Sequence, residues 1–300
     1  MIINLRYPCL SLDDADLWKP SKYQGEVRKI QYKTHWYSGS NVGTPFQKPI
    51  CIYIPYGYDE LLDYDVVVLL PGMDMPYSCY LSRAHRYSAQ LYSVYFKNVL
   101  DNLIANGSIK PSIIVTLPYY GATQEGHPVM ELDGNQLVNE LRYDLLPYMI
   151  NNFSTYAKGT DIISMENARE HFGIFGFSYT STMIMKYIMP ECLDLFSWFG
   201  ASSIFHSDLA SAIVMVDSRQ RRYAVDYLYV GCGDNDEALS QTIEMYQTFC
   251  DGVPGLRSKS DFVKLPNTGH DARTYDTAII NCLMKFFVTE KPKQNGMVEI

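Results

Sequence analysis

No apolar run in these 300 residues approaches the ~20 needed to cross a bilayer as a helix, which excludes a helical membrane span. Positive charge is in deficit. Twenty-five Lys and Arg face 33 Asp and Glu, and the net charge of −8 argues against nucleic acid or an anionic membrane as partner. The basic residues are scattered, with Arg221-Arg222 the densest pair and best read as a solvated face. The seven cysteines show no C-x-x-C and no metal-ligand spacing, so neither a zinc site nor a redox pair is expected. An odd, dispersed set suits a reducing compartment in which thiols pack as small hydrophobes. Of these, Cys79 and Cys232 lie nearest the segments that carry the chemistry. The opening Met-Ile-Ile-Asn-Leu-Arg-Tyr-Pro lacks the pattern of a secretory signal, so the sequence as given is expected in the cytoplasm. Internal repeats, low-complexity tracts and Pro/Gly/Ser-rich linkers are also lacking, and nothing divides the chain into separate domains.

What is present is a globular composition, 47% hydrophobic and 19% charged, enough for one large core. Residues 1–24 have no periodicity and are expected to form an arm lying on a single domain of residues 25–300. Glu26–Thr34 alternates polar and apolar like a half-exposed strand, and Ile50–Pro55 reads as a second strand. With no helix between them, these two suit an antiparallel edge. Asp65–Leu70 (DVVVLL) and Ser112–Leu117 (SIIVTL) are nearly continuous apolar runs, the mark of strands buried on both faces of a parallel sheet. A helical pattern covers residues ~88–106, and Leu137, Leu141, Leu145 and Met149 share one helical face. Downstream, Leu195–Ala201, Val225–Val230 and Asp261–Leu265 read as strands, and Glu237–Cys250 and Ala272–Phe287 as helices. This alternation predicts an α/β fold, a mostly parallel sheet covered on both faces, with its chemistry on loops at the carboxyl ends of the strands.

The most informative stretch is His171-Phe-Gly-Ile-Phe-Gly-Phe-Ser178-Tyr-Thr180, a buried strand that breaks into a helix with a serine at the break. Gly176-Phe177-Ser178-Tyr179-Thr180 is one glycine short of the G-x-S-x-G nucleophile elbow of α/β-hydrolases. A serine hydroxyl needs an imidazole to take its proton, and the imidazole needs a carboxylate to fix its tautomer. The order serine, acid, histidine recurs here at successive strand ends. Gly231-Cys-Gly-Asp234-Asn-Asp236 follows one strand, and Thr268-Gly-His270-Asp271 the last. Among six histidines, His35 and His85 lie far upstream, His127 and His206 in polar loops, and His171 at the wrong end of the elbow strand. His270 alone has the expected address. Asp234 and Asp236 both qualify as the acid, and either also suits a helix cap. An oxyanion hole would take the N–H of Tyr179 and that of Met73, on the Pro71-Gly72-Met73-Asp74 loop. Asp74, Tyr77, Tyr119 and Tyr120 stand on loops suited to binding substrate, and with 25 tyrosines in the chain a groove for sugar or phenolic rings is feasible.

These residues carry a resemblance. Tyr53–Asp59, Val68–Gly72, Asn98–Leu117, Asn139–Tyr148, Arg169–His171, the elbow, Cys192-Leu193-Asp194, Gly231–Asp236 and Gly269–Asp271 occur in order over roughly residues 25–288. Together they resemble carbohydrate esterase family 1, the feruloyl and acetylxylan esterases, with the esterase D group nearby. The resemblance implies an α/β-hydrolase fold, a Ser178–His270–Asp236 triad with Asp236 preferred over Asp234, and Met73 as the second oxyanion donor. It implies no cofactor and no metal. The expected partner is a small-molecule or oligosaccharide ester, with hydroxycinnamoyl esters of xylan first. The alternatives are an acetylxylan, general small-ester or thioester esterase, and a carbohydrate-binding descendant without turnover. Three departures stand out: Pro71 replaces the usual histidine before Gly72, Thr180 replaces the second elbow glycine, and the usual tryptophan after Gly-His-Asp is absent.

Overall fold

The computed structural model describes residues 10, 12–72, 81, 84–85, 94–118, 123–124, 127–128 and 133–288. Its framework is a sheet of eight strands: β1 (Glu26–His35), β2 (Pro45–Ile54), β3 (Asp65–Leu70), β4 (Ser112–Thr116), β5 (Phe172–Phe177), β6 (Trp198–Ser202), β7 (Tyr227–Gly233) and β8 (Ser260–Leu265). Their order across the sheet is β1-β2-β4-β3-β5-β6-β7-β8. β1 pairs antiparallel with β2, and β2 antiparallel with β4, which makes the expected N-terminal edge. All other pairings are parallel, so the exits of β3 to β8 lie along one side of the sheet. This is the α/β-hydrolase architecture expected from the sequence.

The apolar runs explain the layers. Every residue of β3 and β5 is buried, and successive side chains alternate between two cores. Val66, Val68, Leu70 and Ile174 share a core with one set of helices: α2 (Gly134–Glu140), α3 (Leu146–Asn152), α4 (Ile162–Asn167), α5 (Tyr179–Met183), α6 (Met189–Glu191), α7 (Ala210–Arg219) and α8 (Leu239–Gly252). Val67, Leu69, Phe175 and Phe177 meet the other set, α1 (Phe96–Ala105) and α9 (Ala272–Leu283). Leu12 and Trp18 join this second core, and the Asn98 amide donates to the Trp18 carbonyl at 2.9 Å.

Element boundaries moved where burial and periodicity diverge. The helix expected from ~88 begins at Phe96, because Val94–Tyr95 is extended and pairs with Ala84–His85. The strand expected from Leu195 begins at Trp198. Cys192–Phe196 is a buried turn in which the Leu195 and Phe196 N–H groups both reach the Cys192 carbonyl, so its apolar run reflects burial without extension. Helices α7 and α4 (Ile162–Asn167) were not expected, since each leaves apolar residues such as Val214 and Ile163 in solvent and so carries a weak pattern.

The cysteines also depart from expectation. Cys192, Cys232, Cys250 and Cys282 are buried free thiols, but Cys51 is disulfide-bonded. A disulfide is at odds with the reducing compartment read from the dispersed spacing, because cytosolic thiols are ordinarily kept reduced. Among the described residues, no helix is long and apolar enough to cross a membrane.

Candidate active site

Ser178 stands where β5 gives way to α5, with φ 59° and ψ −126°. A non-glycine residue in that region carries strain that its surroundings must hold. They hold it at both ends. The Ser178 N–H donates to the Ser202 carbonyl at the end of β6 (2.9 Å), and the Ser178 carbonyl accepts from the Ser181 N–H (3.0 Å) and hydroxyl (2.5 Å). Gly176 is required by close approach: a Cβ there would lie 2.8 Å from the Thr180 backbone. Helix and strand therefore cross at the distance the elbow motif demands, and the serine is thrust out of the sheet.

His270 comes to it from the loop after β8. Its Nε2 lies 2.9 Å from Ser178 Oγ, and its Nδ1 lies 3.1 and 3.2 Å from the two carboxylate oxygens of Asp236. The loop is built for this placement. Asp271 caps α9, accepting from the N–H groups of Arg273 (2.9 Å) and Thr274 (3.0 Å), which leaves His270 just ahead of the helix. The Asn235 N–H donates to the Thr268 carbonyl at 3.0 Å, lashing the acid loop to the histidine loop. The imidazole is packed between Phe177, stacked with centroids 5.0 Å apart, and the edge of Phe205 at 5.1 Å.

The electrostatics follow from these contacts. Burial pushes the Asp236 carboxyl up, but hydrogen bonds from His270, the Ser203 hydroxyl (2.6 Å) and the Ala238 N–H (2.8 Å) outweigh it and hold it below the usual carboxylate range. The hydrogen bond with Asp236 raises the His270 pKa above its ordinary value, with burial opposing. Asp236 is therefore charged at neutral pH and the imidazole is oriented and polarised by it. Asp234 has a different employment: its Oδ1 accepts from the Asn235 side chain at 3.0 Å and the Thr268 N–H at 3.3 Å.

Three other histidines have partners elsewhere. His171 pairs with Asp65 at 2.7 Å and His35 with Asp144 at 3.1 Å, while the backbone of His206 donates to Gln241. Cys232 is buried and its thiol is pushed up to about 11 by that burial, so it holds no thiolate at neutral pH. Tyr179 opens α5 directly after Ser178. Met73, Asp74, Tyr77, Tyr119 and Tyr120 lie outside the described residues, as does Cys79. Gly72 is described, and a Cβ on it would lie 3.3 Å from Ser178 Cβ, so the exit of β3 passes directly against the serine.

Two contributors were missed in the sequence. Ser203, at φ 56° just past β6, donates its hydroxyl to Asp236, and Phe205 walls His270. Position just after a strand of the parallel sheet was the available signal for both. Nothing in the residue types of Ser202-Ser203-Ile204-Phe205 singled them out. Among the described residues, no group of three or more His, Cys, Asp or Glu side chains could hold a metal ion.

No family model matches the chain. Over 237 residues it is 29% identical to endo-1,4-beta-xylanase Y of Acetivibrio thermocellus, a match covering 76% of this chain and 20% of that protein. It is 26% identical, also over 237 residues, to an endo-1,4-beta-xylanase/feruloyl esterase of Xylanibacter ruminicola, covering 77% of this chain and 28% of that one. The chain thus spans less than a third of the length of the curated relatives it matches. Among solved structures, a serine-to-alanine variant of the feruloyl esterase module from Clostridium thermocellum, complexed with sinapinate, aligns with a TM-score of 0.72 at 20% identity, covering 99% of this chain and 98% of that one. A CE1 ferulic acid esterase from the anaerobic fungus Anaeromyces mucronatus aligns with a TM-score of 0.64 at 19% identity, covering 91% and 95%.

Proposed function

We propose that this chain, similar in sequence and fold to the feruloyl esterases of carbohydrate esterase family 1, is a serine carboxylic-ester hydrolase that releases hydroxycinnamic acids from feruloylated xylan or its oligosaccharides. The observation that carries the reading is the unbroken line from Ser178 Oγ through His270 to Asp236, with gaps of 2.9 and 3.1 Å. A continuous relay in hydrogen-bond contact is what hydroxyl activation requires. The choice of acyl group rests on the relative named endo-1,4-beta-xylanase/feruloyl esterase and on the similar fold of a feruloyl esterase module complexed with sinapinate.

The chemistry is acyl transfer to water. Ser178 Oγ attacks the ester carbonyl as its proton passes to His270 Nε2, and the carbonyl electrons move onto oxygen. Backbone N–H groups of Tyr179 and Met73 would hold that oxyanion. Collapse expels the sugar alcohol, which leaves with the proton from His270. A water then gives its proton to His270 and attacks the acyl-enzyme; the intermediate collapses with cleavage of the bond to Ser178 Oγ, which takes the proton back from His270 as the acid leaves. Asp236 stabilises the imidazolium in both halves without taking the proton. Asp74, Tyr77, Tyr119 and Tyr120 remain the proposed contacts for the aromatic acyl group and the sugar.

Hydrolysis of methyl ferulate beside para-nitrophenyl acetate tests the substrate. Ferulate release with a kcat/KM above that for acetate supports the feruloyl reading. Acetate release alone moves the protein to the deacetylases and small-ester hydrolases, and silence on both leaves a carbohydrate-binding descendant of the fold. The pH profile tests the base. His270 must be neutral to accept a proton, so kcat/KM should climb with pH and reach its midpoint above the ~6.5 of an unperturbed imidazole. Removing the Asp236 charge should move that midpoint down. Stability runs the other way: the raised His270 pKa contributes stabilisation below ~6.5 that is lost as pH rises through the folded value.

A further inference from the structure

The threonine that replaces the second elbow glycine is fully buried, and its hydroxyl is hydrogen-bonded on both sides. Thr180 Oγ1 accepts from the Phe177 N–H at 3.0 Å and lies 2.8 Å from the Leu70 carbonyl and 2.9 Å from that of Phe177. Leu70 and Gly176 are the last residues paired between the parallel strands β3 and β5. At the next residue the chain begins to turn into the elbow, and the ladder stops with the Phe177 N–H and the Leu70 carbonyl on its two sides. The Thr180 hydroxyl stands between them, taking a hydrogen from one and giving its own to the other. It relays the ladder bond that the elbow interrupts.

The place of that relay matters. Leu70 leads at once into Pro71-Gly72, where proline has no N–H to anchor the segment. Gly72 in turn lies so close to the elbow that a Cβ would come within 2.9 Å of the Phe177 ring and 3.3 Å of Ser178 Cβ. Two pieces of backbone meet here, one bearing Ser178 and the other leading to the oxyanion loop, and one hydroxyl sets their separation. Without it, two buried backbone groups lose a partner and the separation is free to change. A threonine hydroxyl thus replaces the glycine's open space with a tether.

We infer that Thr180 is a positioning residue that registers the nucleophile elbow against the exit of β3, and that it acts on turnover and not on substrate affinity. The inference rests on the serine-esterase reading above. Its test compares Thr180→Val, which keeps the shape and removes the hydroxyl, with Thr180→Ser, which keeps the hydroxyl. Both are assayed on methyl ferulate and para-nitrophenyl acetate, with thermal unfolding of each protein alongside. The valine variant should lose about tenfold or more in kcat with KM nearly unchanged, and the serine variant should recover most of it. If the valine variant does not fold, Thr180→Ala supplies the hydroxyl-free comparison. A folded hydroxyl-free variant with undiminished kcat, a loss confined to KM, or a serine variant as impaired as valine overturns the inference alone. A wild type inert towards both esters overturns the esterase reading, and this inference with it.

Discussion

Ser178→Ala is expected to lower kcat for ester hydrolysis by roughly four to six orders of magnitude while leaving the protein folded. The size follows from the lack of a substitute. Cys232, the described thiol nearest the triad, is buried and its pKa is pushed up to about 11, so no thiolate stands ready beside His270. Alanine retains the Cβ and hence the backbone strain at φ 59°, which the Ser202 carbonyl and the Ser181 side chain continue to hold. The melting temperature should accordingly stay close to wild type. Kinetics on methyl ferulate beside a thermal scan would check both halves. Residual activity above about one hundredth would mean that Ser178 is not the nucleophile.

The second large effect separates two neighbouring aspartates. Asp236→Asn should lower kcat on the order of 10³–10⁴, whereas Asp234→Asn should change it by less than about threefold. Asp236 carries the only carboxylate in contact with His270 among the described residues, and its charge both selects the tautomer that presents Nε2 to Ser178 and stabilises the imidazolium. Asparagine keeps the size but loses the charge, and its amide group competes for the wrong orientation of the ring. Asp234 instead braces the two loops, its Oδ1 accepting from the Asn235 side chain and from the Thr268 N–H, and has no part in the proton relay. Steady-state kinetics of the two variants decide the matter. Equal losses would remove Asp236 from the role of acid.

The contrast between the two aspartates also marks how far the sequence could be read. DVVVLL announced a strand buried on both faces and FGIFGF a buried strand, and both proved wholly buried. The elbow was legible because its geometry demands small residues at fixed offsets, and Gly176 meets the Thr180 backbone as that demands. Composition alone left Asp234 and Asp236 equivalent. Which one faces His270 depends on how the turn after β7 is lashed to the loop after β8, a pairing remote in sequence. Thr180 looked like a flaw for the same reason. Its partner, the Leu70 carbonyl, is 110 residues away. Ser203 left no trace either, since its contribution depends on a positive φ and on a carboxylate 33 residues downstream. Local pattern specified the elements, while contacts across strand ends decided the site.

The most direct test of the account is labelling by a fluorophosphonate, which reacts with an activated serine hydroxyl whatever ester the protein prefers. Wild-type protein treated with the reagent should gain one adduct by mass, mapping to the peptide that holds Ser178. His270→Ala should label far more slowly and Ser178→Ala not at all. An unlabelled wild type, or an adduct on another residue, would contradict a serine hydrolase built on Ser178.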